Sequence, residues 1–280
     1  MSGVTLHQGA PVLEACGIGF SYAGKPVLTG IDLVVRPREI VCLLGASGCG
    51  KSTLLKVLAG LSNAGDGERR FLGEPMSGPH PRSALVFQQA GLLPWLDVAG
   101  NIGFGLDFKH QPALPAEQRR RRVAQAIEAV GLGEHARAFP AQLSGGMAQR
   151  VAIARALARQ PALLFADEPF SALDAITRAE MQVLLTELVQ RWHTAVLLVT
   201  HDIDEAILTA DRILLMSGSP GRILHEWEVP IPRPRDADPQ AFAELKLDIL
   251  AALRQHHANL PQTASSENNN ETRTSLDHVR

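Results

Sequence analysis

The 280-residue sequence is poor in the features that mark secreted, membrane-spanning and metal-binding chains. Its three cysteines (Cys16, Cys42 and Cys49) form no CxxC pair and have no His/Cys metal spacing, which fits a reducing compartment. No apolar run reaches the length of about 18 residues that predicts a transmembrane helix. The N-terminus lacks a basic region followed by an apolar one, so no secretory signal is predicted. We therefore expect a soluble, cytoplasmic protein.

Neither sign of charge predominates, because the formal net charge is only −2. No nucleic-acid partner is expected, since such partners call for a basic surface. The four arginines at 119–122 lie on a predicted helix, where a solvated surface is favoured over a binding patch. A hydrophobic content of 45% provides ample material for a core, in one large domain or two small ones.

Short apolar runs alternate with helical patterns along the chain, which predicts an α/β fold with a mainly parallel sheet. Strands are predicted at 12–22, 31–35, 40–44, 83–87, 162–166, 195–200, 212–216 and 221–228. Helices are predicted at 51–61, 98–110, 115–130, from 147 onward, at 175–192, 203–210 and 239–256. The first two strands are joined by a turn-like AGKP at 23–26 and form an N-terminal antiparallel part. We predict one domain over 10–258 with a helical insertion at about 88–160, and a polar, disordered tail over 259–280.

A glycine-rich stretch connects the buried-strand run at 40–44 to a helix, in the pattern GxxxxGK[ST] of a phosphate-binding loop. Small residues let backbone N–H groups surround phosphate oxygens at a helix N-terminus. Lys51 can reach the outer phosphates, and the Ser52 hydroxyl can ligate Mg²⁺. Cys49 is interpreted as a small filler rather than a redox switch. The predicted nucleotide-binding residues are Gly45, Ala46, Ser47, Gly48, Cys49, Gly50, Lys51, Ser52 and Thr53. The loop alone does not separate ATPases from GTPases or small-molecule kinases.

Two acidic residues follow the strand run in LLFADEP at 163–169. Open α/β sheets bind ligands at the carboxyl ends of their strands, which is where Asp167 stands. Asp167 suits Mg²⁺ coordination, and Glu168 is placed to polarise an attacking water. Mere solvated acids are the alternative interpretation, which the phosphate loop makes unattractive.

Several motifs stand together in one order: GASGCGKS at 45–52, Gln88 in LVFQQ, LSGGM at 143–147, LLFADEP, SALD at 171–174 and His201 in LLVTHD. From about residue 12 to 256 the chain resembles the ATPase subunits of ABC transporters. The resemblance implies a P-loop NTPase fold of the ABC type, with ATP and Mg²⁺ as ligands.

A second glycine-rich helix start, LSGG, has a role that the resemblance supplies. In the family two ATPase subunits associate head to tail, and each ATP lies on one subunit's P-loop beneath the other's LSGG. Ser144, Gly145, Gly146 and Met147 are therefore expected to contact ATP in trans, as is Asp174 near the partner's site. Many family members have Gln where this chain has Met147. An ordinary Ser144 N-cap is compatible with this role.

The resemblance assigns three further roles. Tyr22 resembles the ring that stacks on adenine, with a half-buried strand aromatic as the alternative. Gln88 resembles the residue that contacts Mg²⁺ and the attacking water, and Gln89 is the weaker candidate. His201 resembles the switch histidine that contacts the γ-phosphate, so Glu168, His201 and Gln88 form the expected catalytic set.

The segments SGSPGRI at 217–223, IPRPR at 231–235 and PFSALDAITR at 169–178 resemble the importer branch for nitrate, taurine and aliphatic sulfonates. LLPW at 92–95 either packs in the core or meets coupling helices of the membrane subunits. The resemblance implies a peripheral protein on the cytoplasmic face of the inner membrane. Its partners would be a second copy, two integral membrane permease subunits and, indirectly, a solute-binding protein. A non-transport ABC ATPase, and an importer of another solute such as a pyrimidine precursor, stay open; a P-loop kinase or GTPase would leave LSGG and His201 unexplained.

Overall fold

The computed structural model describes residues 9–258 apart from His110 and Pro112. The strands of this part of the chain are β1 Leu13–Tyr22, β2 Lys25–Val35, β3 Ile40–Leu44, β4 Asp66–Phe71, β5 Glu74–Pro75, β6 Ser83–Val86, β7 Leu163–Asp167, β8 Ala195–Thr200, β9 Arg212–Ser217 and β10 Arg222–Glu228. Its α-helices are α1 Lys51–Leu58, α2 Val98–Gly103, α3 Ala116–Ala129, α4 Gly145–Ala158, α5 Ala175–Trp192, α6 Ile203–Thr209 and α7 Pro239–Ala258. The predicted disordered tail at 259–280 lies outside the described residues.

The larger sheet has six strands in the order β10-β9-β3-β8-β7-β6. All neighbouring pairs from β9 to β6 run parallel, and β10 pairs antiparallel with β9 at the edge. Every residue of β3 and β8 is buried. Strands covered on both faces read as continuous apolar runs, which is why the sequence at 40–44 and 195–200 predicts them correctly. The α/β prediction with a mainly parallel sheet is confirmed.

The smaller sheet is antiparallel, in the order β2-β1-β4-β5. The turn between β1 and β2 has only two residues, Ala23 at φ 48° and Gly24 at φ 79°. Two left-handed residues match the twist of a hairpin, so β2 begins at Lys25. The predicted turn at 23–26 was therefore too long and the predicted strand at 31–35 too short. β4 and β5 were not predicted, because charged residues and glycines dominate 65–81 and conceal the strand pattern.

Two apolar layers lie on opposite faces of the six-stranded sheet. Leu197 and Val199 of β8 belong to the layer beneath the antiparallel sheet and α1. Val196 and Leu198 belong to the layer that includes residues of α4, α5 and α6. This alternation is the period-2 geometry of a strand, and it holds the central strand ends rigidly between the layers.

The chain between β6 and β7 is helical where it has regular structure, with α2, α3 and α4 packed on one another. Val98, Ala126 and Val151 from these helices join the same apolar layer as the sheet. The arginines at 119–122 lie on α3, mostly exposed or half-buried. No helix in the described ranges combines the length and apolarity needed to cross a bilayer.

Candidate functional site

Three neighbouring strands of the six-stranded sheet end together and are followed by two of the three predicted catalytic residues, Glu168 and His201, whereas Gln88 follows another strand. Leu44 at the end of β3 is in register with Thr200 of β8, and Asp167 of β7 is in register with Val199. The phosphate loop, the acidic pair and His201 follow these three ends directly. The fold therefore brings these residues together at the edge of the sheet where parallel α/β proteins bind ligands.

The loop from Gly45 to Gly50 needs glycine for two physical reasons. Gly48 and Gly50 have φ of 84° and 98°, in the left-handed region that glycine adopts at no steric cost. A Cβ on Gly45 would clash with the carbonyl oxygen of Met216 at the end of the neighbouring β9. Cys49 fills the interior of the loop, and burial raises the pKa of its thiol. A raised pKa supports the filler interpretation, since redox-active thiols have lowered values.

Lys51 is the first residue of α1, and its side chain folds back over the loop. Its Nζ donates to the carbonyl oxygens of Gly45 at 2.8 Å and Ala46 at 2.9 Å, and the residue is only 5% exposed. The ammonium group is thus held inside the loop together with the N-terminal N–H groups of α1. An anion placed there would meet both a full and a partial positive charge.

Ser52 joins the phosphate loop to the acidic strand end. Its Oγ donates to Oδ1 of Asp167 at 2.8 Å. A hydroxyl and a carboxylate in contact form a hard oxygen set of the kind that Mg²⁺ uses together with phosphates and water. Mg²⁺ sites of this kind take only one or two protein carboxylates. The described residues hold no cluster of three or more His, Cys, Asp or Glu side chains that could bind a metal ion.

Glu168 and His201 form the second pair at this edge. Nδ1 of His201 lies 3.3 Å from Oε1 of Glu168. The backbone of Glu168 has φ 46°, and its N–H donates to Val199 at 3.0 Å while its carbonyl accepts from Ser171 Oγ at 3.0 Å. A non-glycine residue held in the left-handed region costs on the order of 1–3 kcal/mol, and such residues cluster at active sites. No sequence pattern at 163–169 predicts this conformation.

Gln88 and Tyr22 lie at the margins of the site. Gln88 is exposed in the loop after β6, with Phe87 before it accepting a hydrogen bond from Gln149 of α4 at 3.2 Å. Tyr22 is 74% exposed at the tip of the β1–β2 hairpin. The exposure of Tyr22 leaves its ring face open to a planar ligand, but no described contact joins either residue to the loop at 45–53.

The second glycine-rich helix start is built differently from the first. Ser144 is the N-cap of α4, and its Oγ accepts from the N–H of Met147 at 3.2 Å. Gly145 begins the helix, and a Cβ on it would meet nothing within 4 Å. Gly146 is buried, and a Cβ there would clash with Cγ2 of Thr177 on α5. The N-cap interpretation is thus confirmed, and Gly146 is needed for helix packing.

Asp174 lies beside this helix start because Thr177, three residues later on α5, touches Gly146. The carboxylate caps α5, accepting from Thr177 N at 3.0 Å and Ile176 N at 3.1 Å. Hydrogen bonding from Thr177 lowers the pKa of Asp174, which is fully exposed. Residues 144–147 and 174 therefore form one surface. No hydrogen bond or ion pair in the described part of the chain joins residues 144–147 to the loop at 45–53.

Two polar residues of α4 that sequence reasoning missed hold the loop around Gln88. Gln149 donates to the Phe87 carbonyl, and Arg155 donates to the carbonyl oxygens of Ala90 at 2.8 Å and Gly91 at 2.9 Å. Gln149 is 3% exposed within an Ala-rich helix. A polar residue at an apolar helix position was the available signal, since buried polar groups need specific partners.

The sequence profile of the ABC transporter family matches residues 28–171. An aliphatic sulfonates import ATP-binding protein from Xanthomonas axonopodis pv. citri is 47% identical over 252 residues, covering 88% of this chain and 99% of that protein. Another protein of the same description, from Pseudomonas syringae pv. syringae, is 50% identical over 238 residues, covering 85% and 94%.

The fold is similar to that of a solved ATP-binding cassette, MJ0796, described as a dimer in a post-hydrolysis state bound to ADP and phosphate. The TM-score is 0.66 at 31% identity, covering 78% of this chain and 98% of that one. Likeness of both sequence and fold extends across the strand ends, the phosphate loop and the helical segment described above.

Proposed function

The chain belongs to the ABC transporter family, and from that premise we propose that it is the ATP-hydrolysing subunit of an importer for aliphatic sulfonates. The observation that carries the ATPase part is the convergence of Lys51, the Ser52–Asp167 pair and the Glu168–His201 pair on one sheet edge. The named relatives, which cover most of this chain, carry the solute class.

Hydrolysis is assigned to the residues of the strand ends. Lys51 and the N–H groups of the loop hold the phosphates and balance their charge. Glu168 holds the attacking water through its carboxylate, and His201 orients Glu168 and faces the γ-phosphate. Mg²⁺ would be held by Ser52 and Asp167, with Gln88 as the outer ligand, and would supply charge neutralisation between the β- and γ-phosphates.

A second copy of the chain completes each site. The surface made by residues 144–147 and Asp174 offers a helix N-terminus and an open Gly145 to the ATP held by the partner's phosphate loop. Two bound ATP molecules favour the closed pair by their higher affinity for it, and hydrolysis reopens the pair. The dimeric relative supports this arrangement.

The membrane partners would dock on the LLPW segment at 92–95. Leu92 packs against the core, whereas Trp95 is 70% exposed, so the segment is anchored at one end and presents an aromatic at the other. Arg155 and Gln149 connect the preceding loop to α4. A displacement of the segment at 92–95 would therefore be transmitted to the LSGG surface. We assign the chain to the cytoplasmic face of the cell membrane, as the peripheral subunit of a complex. The other members of that complex would be two permease subunits and a binding protein.

Mixing two inactive variants tests the shared site. Lys51→Ala disables a chain's own phosphate loop, and Gly145→Asp places a carboxylate where the partner's γ-phosphate would lie. Each variant alone should release little phosphate from ATP. Mixed equally, half of the dimers carry one intact site of two, so up to about one quarter of normal turnover should return, and less to the extent that one site depends on the other. No recovery on mixing, with both variants folded, would contradict the shared site.

Solute class is tested separately with the assembled transporter. The complex with its permease and binding protein, reconstituted in liposomes, should hydrolyse ATP faster with an alkanesulfonate than with nitrate, an anion that lacks the sulfonate group. Equal stimulation by nitrate would contradict the sulfonate assignment and leave the ATPase assignment untouched.

A further inference from the structure

Arg178, in the first turn of α5, connects two turns that hydrolysis uses. Its Nη2 donates to the carbonyl oxygen of Leu173 at 3.0 Å. Its Nη1 lies 3.6 Å from Oδ2 of Asp202. Leu173 belongs to the turn at 171–174 that carries Asp174, and Asp202 directly follows His201. One side chain therefore spans from the surface expected to meet the second copy to the histidine of the chain's own site.

Asp202 is tied by hydrogen bonds to Thr200 and Glu205, so a shift of Asp202 would carry His201 with it. Its N–H donates to Thr200 Oγ1 at 3.0 Å, and its Oδ1 accepts from the N–H of Glu205 at 3.1 Å as the N-cap of α6. His201 lies between these two anchored residues, 3.3 Å from Glu168. A displacement of Asp202 by Arg178 would thus change the distance between His201 and Glu168.

Stability does not explain this arrangement. The side chains of Arg178 and Asp202 are 33% and 36% exposed, and ion pairs of that exposure contribute only about 0–1 kcal/mol. Within the described residues Nε of Arg178 is buried without a hydrogen-bond partner, which adds a cost. The gain from the side chain is therefore geometric: a planar fork with donors directed at two different turns.

We infer that Arg178 is a positioning residue that makes the placement of His201 depend on the turn at 171–174. The inference rests on the proposed function, because only in the head-to-tail pair does that turn lie against the partner's nucleotide. When the pair closes, the Leu173 carbonyl moves with the turn and Arg178 carries the displacement to Asp202. Nucleotide at one site then alters turnover at the other. The element with two positions is the turn that contains His201 and Asp202.

The test compares Arg178→Met, Asp202→Asn and the double variant by phosphate release over a range of ATP concentrations. Asparagine caps helices about as well as aspartate, so Asp202→Asn removes the charge pair and keeps the cap. We expect kcat to fall about tenfold in each single variant with KM changed less than about twofold, the mark of a misplaced catalytic group. The double variant should be no slower than the slower single one, and the Hill coefficient should fall to about 1 in all three. Arg178→Lys should recover part of kcat.

Lys246→Met is the matched control. It breaks the ion pair between Lys246 of α7 and Asp204 of α6, the helix that Asp202 caps, and it leaves both turns unaltered. Its kcat should equal that of the unaltered protein. The inference would be overturned if Arg178→Met left kcat or the Hill coefficient unaltered. It would also be overturned if the losses in kcat added in the double variant, or if KM rose in parallel with the fall in kcat. If Arg178→Met failed to fold, unaltered kcat in Asp202→Asn would overturn it. An unaltered protein that hydrolyses no ATP would instead contradict the proposed function.

Discussion

The two glycine-rich helix starts of this chain have similar compositions and opposite reasons for them. In the loop at 45–50, Gly48 and Gly50 adopt left-handed backbone angles that other residues avoid. At the start of α4, neither Gly145 nor Gly146 has a positive φ. Gly146 is there because Thr177 leaves no room for a Cβ, and Gly145 leaves the helix end uncovered.

The comparison shows that glycine content alone does not reveal what a helix start does. The first start holds a buried lysine and contacts Asp167, so it carries charge and chemistry within one chain. The second start packs on a neighbouring helix and turns its open N–H groups outward. A site for a single triphosphate can be divided between two copies in this way. One half then needs glycine for its backbone angles, and the other half needs glycine for close packing and for an uncovered helix end.

The largest expected effect lies on the catalytic half. Glu168→Gln removes the base, so kcat for ATP hydrolysis should fall by at least about 100-fold while ATP binding persists. The variant should also accumulate as a nucleotide-bound dimer in size-exclusion chromatography with ATP. Glu187→Gln, an exposed glutamate elsewhere on α5, is the control and should retain full turnover. Normal hydrolysis by Glu168→Gln would refute the assignment of the base.

A buried carboxyl beneath the catalytic half should make stability depend on pH. Burial raises the pKa of Glu205 from 4.5 to about 7, opposed by the Thr200 hydroxyl and the charge of Arg178, while Asp202 adds to the rise. Between these pH values the unfolded chain loses a proton that the folded chain keeps, so the free energy of unfolding falls as pH rises. Glu205→Gln should therefore match the unaltered protein near pH 4.5. Above pH 7 it should be more stable by up to about 3 kcal/mol.

Urea unfolding of the Glu205→Gln variant at several pH values measures this difference. Glu187→Gln serves again as the control, with no pH-dependent gain. A Glu205→Gln gain that stayed constant from pH 4.5 to 8 would show that the carboxyl titrates in the same range folded and unfolded.

The contact demand at the second helix start is tested by Gly146→Ala. The new methyl overlaps Cγ2 of Thr177, so the free energy of unfolding should fall by about 1–3 kcal/mol. Adding Thr177→Ser removes the obstructing methyl and should recover most of the loss in chemical denaturation. Failure of Thr177→Ser to restore stability would mean that Gly146 is needed for another reason.

The smallest effect separates backbone conformation from contact. Gly48 and Gly145 both have open space around a Cβ, but only Gly48 has a positive φ. Gly48→Ala should lower the free energy of unfolding by about 1 kcal/mol, the cost of a Cβ in the left-handed region. Gly145→Ala should be neutral or slightly stabilising in thermal unfolding, because alanine favours a helix. Equal losses at both positions would erase the distinction.

Buried strands and helix starts could be predicted because local chemistry determines them. The runs at 40–44 and 195–199 are wholly apolar, and GASGCGKST has the glycine spacing of a phosphate-binding loop. The early start of β2 depended on the turn at Ala23 and Gly24, and β4 is a charged strand held by its pairing with β1 and by the burial of Phe71. Such elements follow from tertiary partners, which a local pattern does not contain.

Residues that act across the chain were the hardest to anticipate. Arg178 and Asp202 are 24 positions apart, and Arg155 reaches carbonyls more than 60 positions away. Their roles depend on which helix lies beside which turn. The predicted residues of the phosphate loop, the acidic pair and His201 do meet at one edge, and the roles of these and of all the other predicted site residues stay predictions.

The left-handed backbone of Glu168 has a consequence for how this protein can change. Asparagine and glycine tolerate that conformation better than glutamate does, so replacing the residue by either relieves steric strain of about 1 kcal/mol. A library screened only for heat resistance would therefore tend to discard the carboxylate that we propose holds the attacking water. In this chain thermal robustness and turnover pull in opposite directions at a single amino acid.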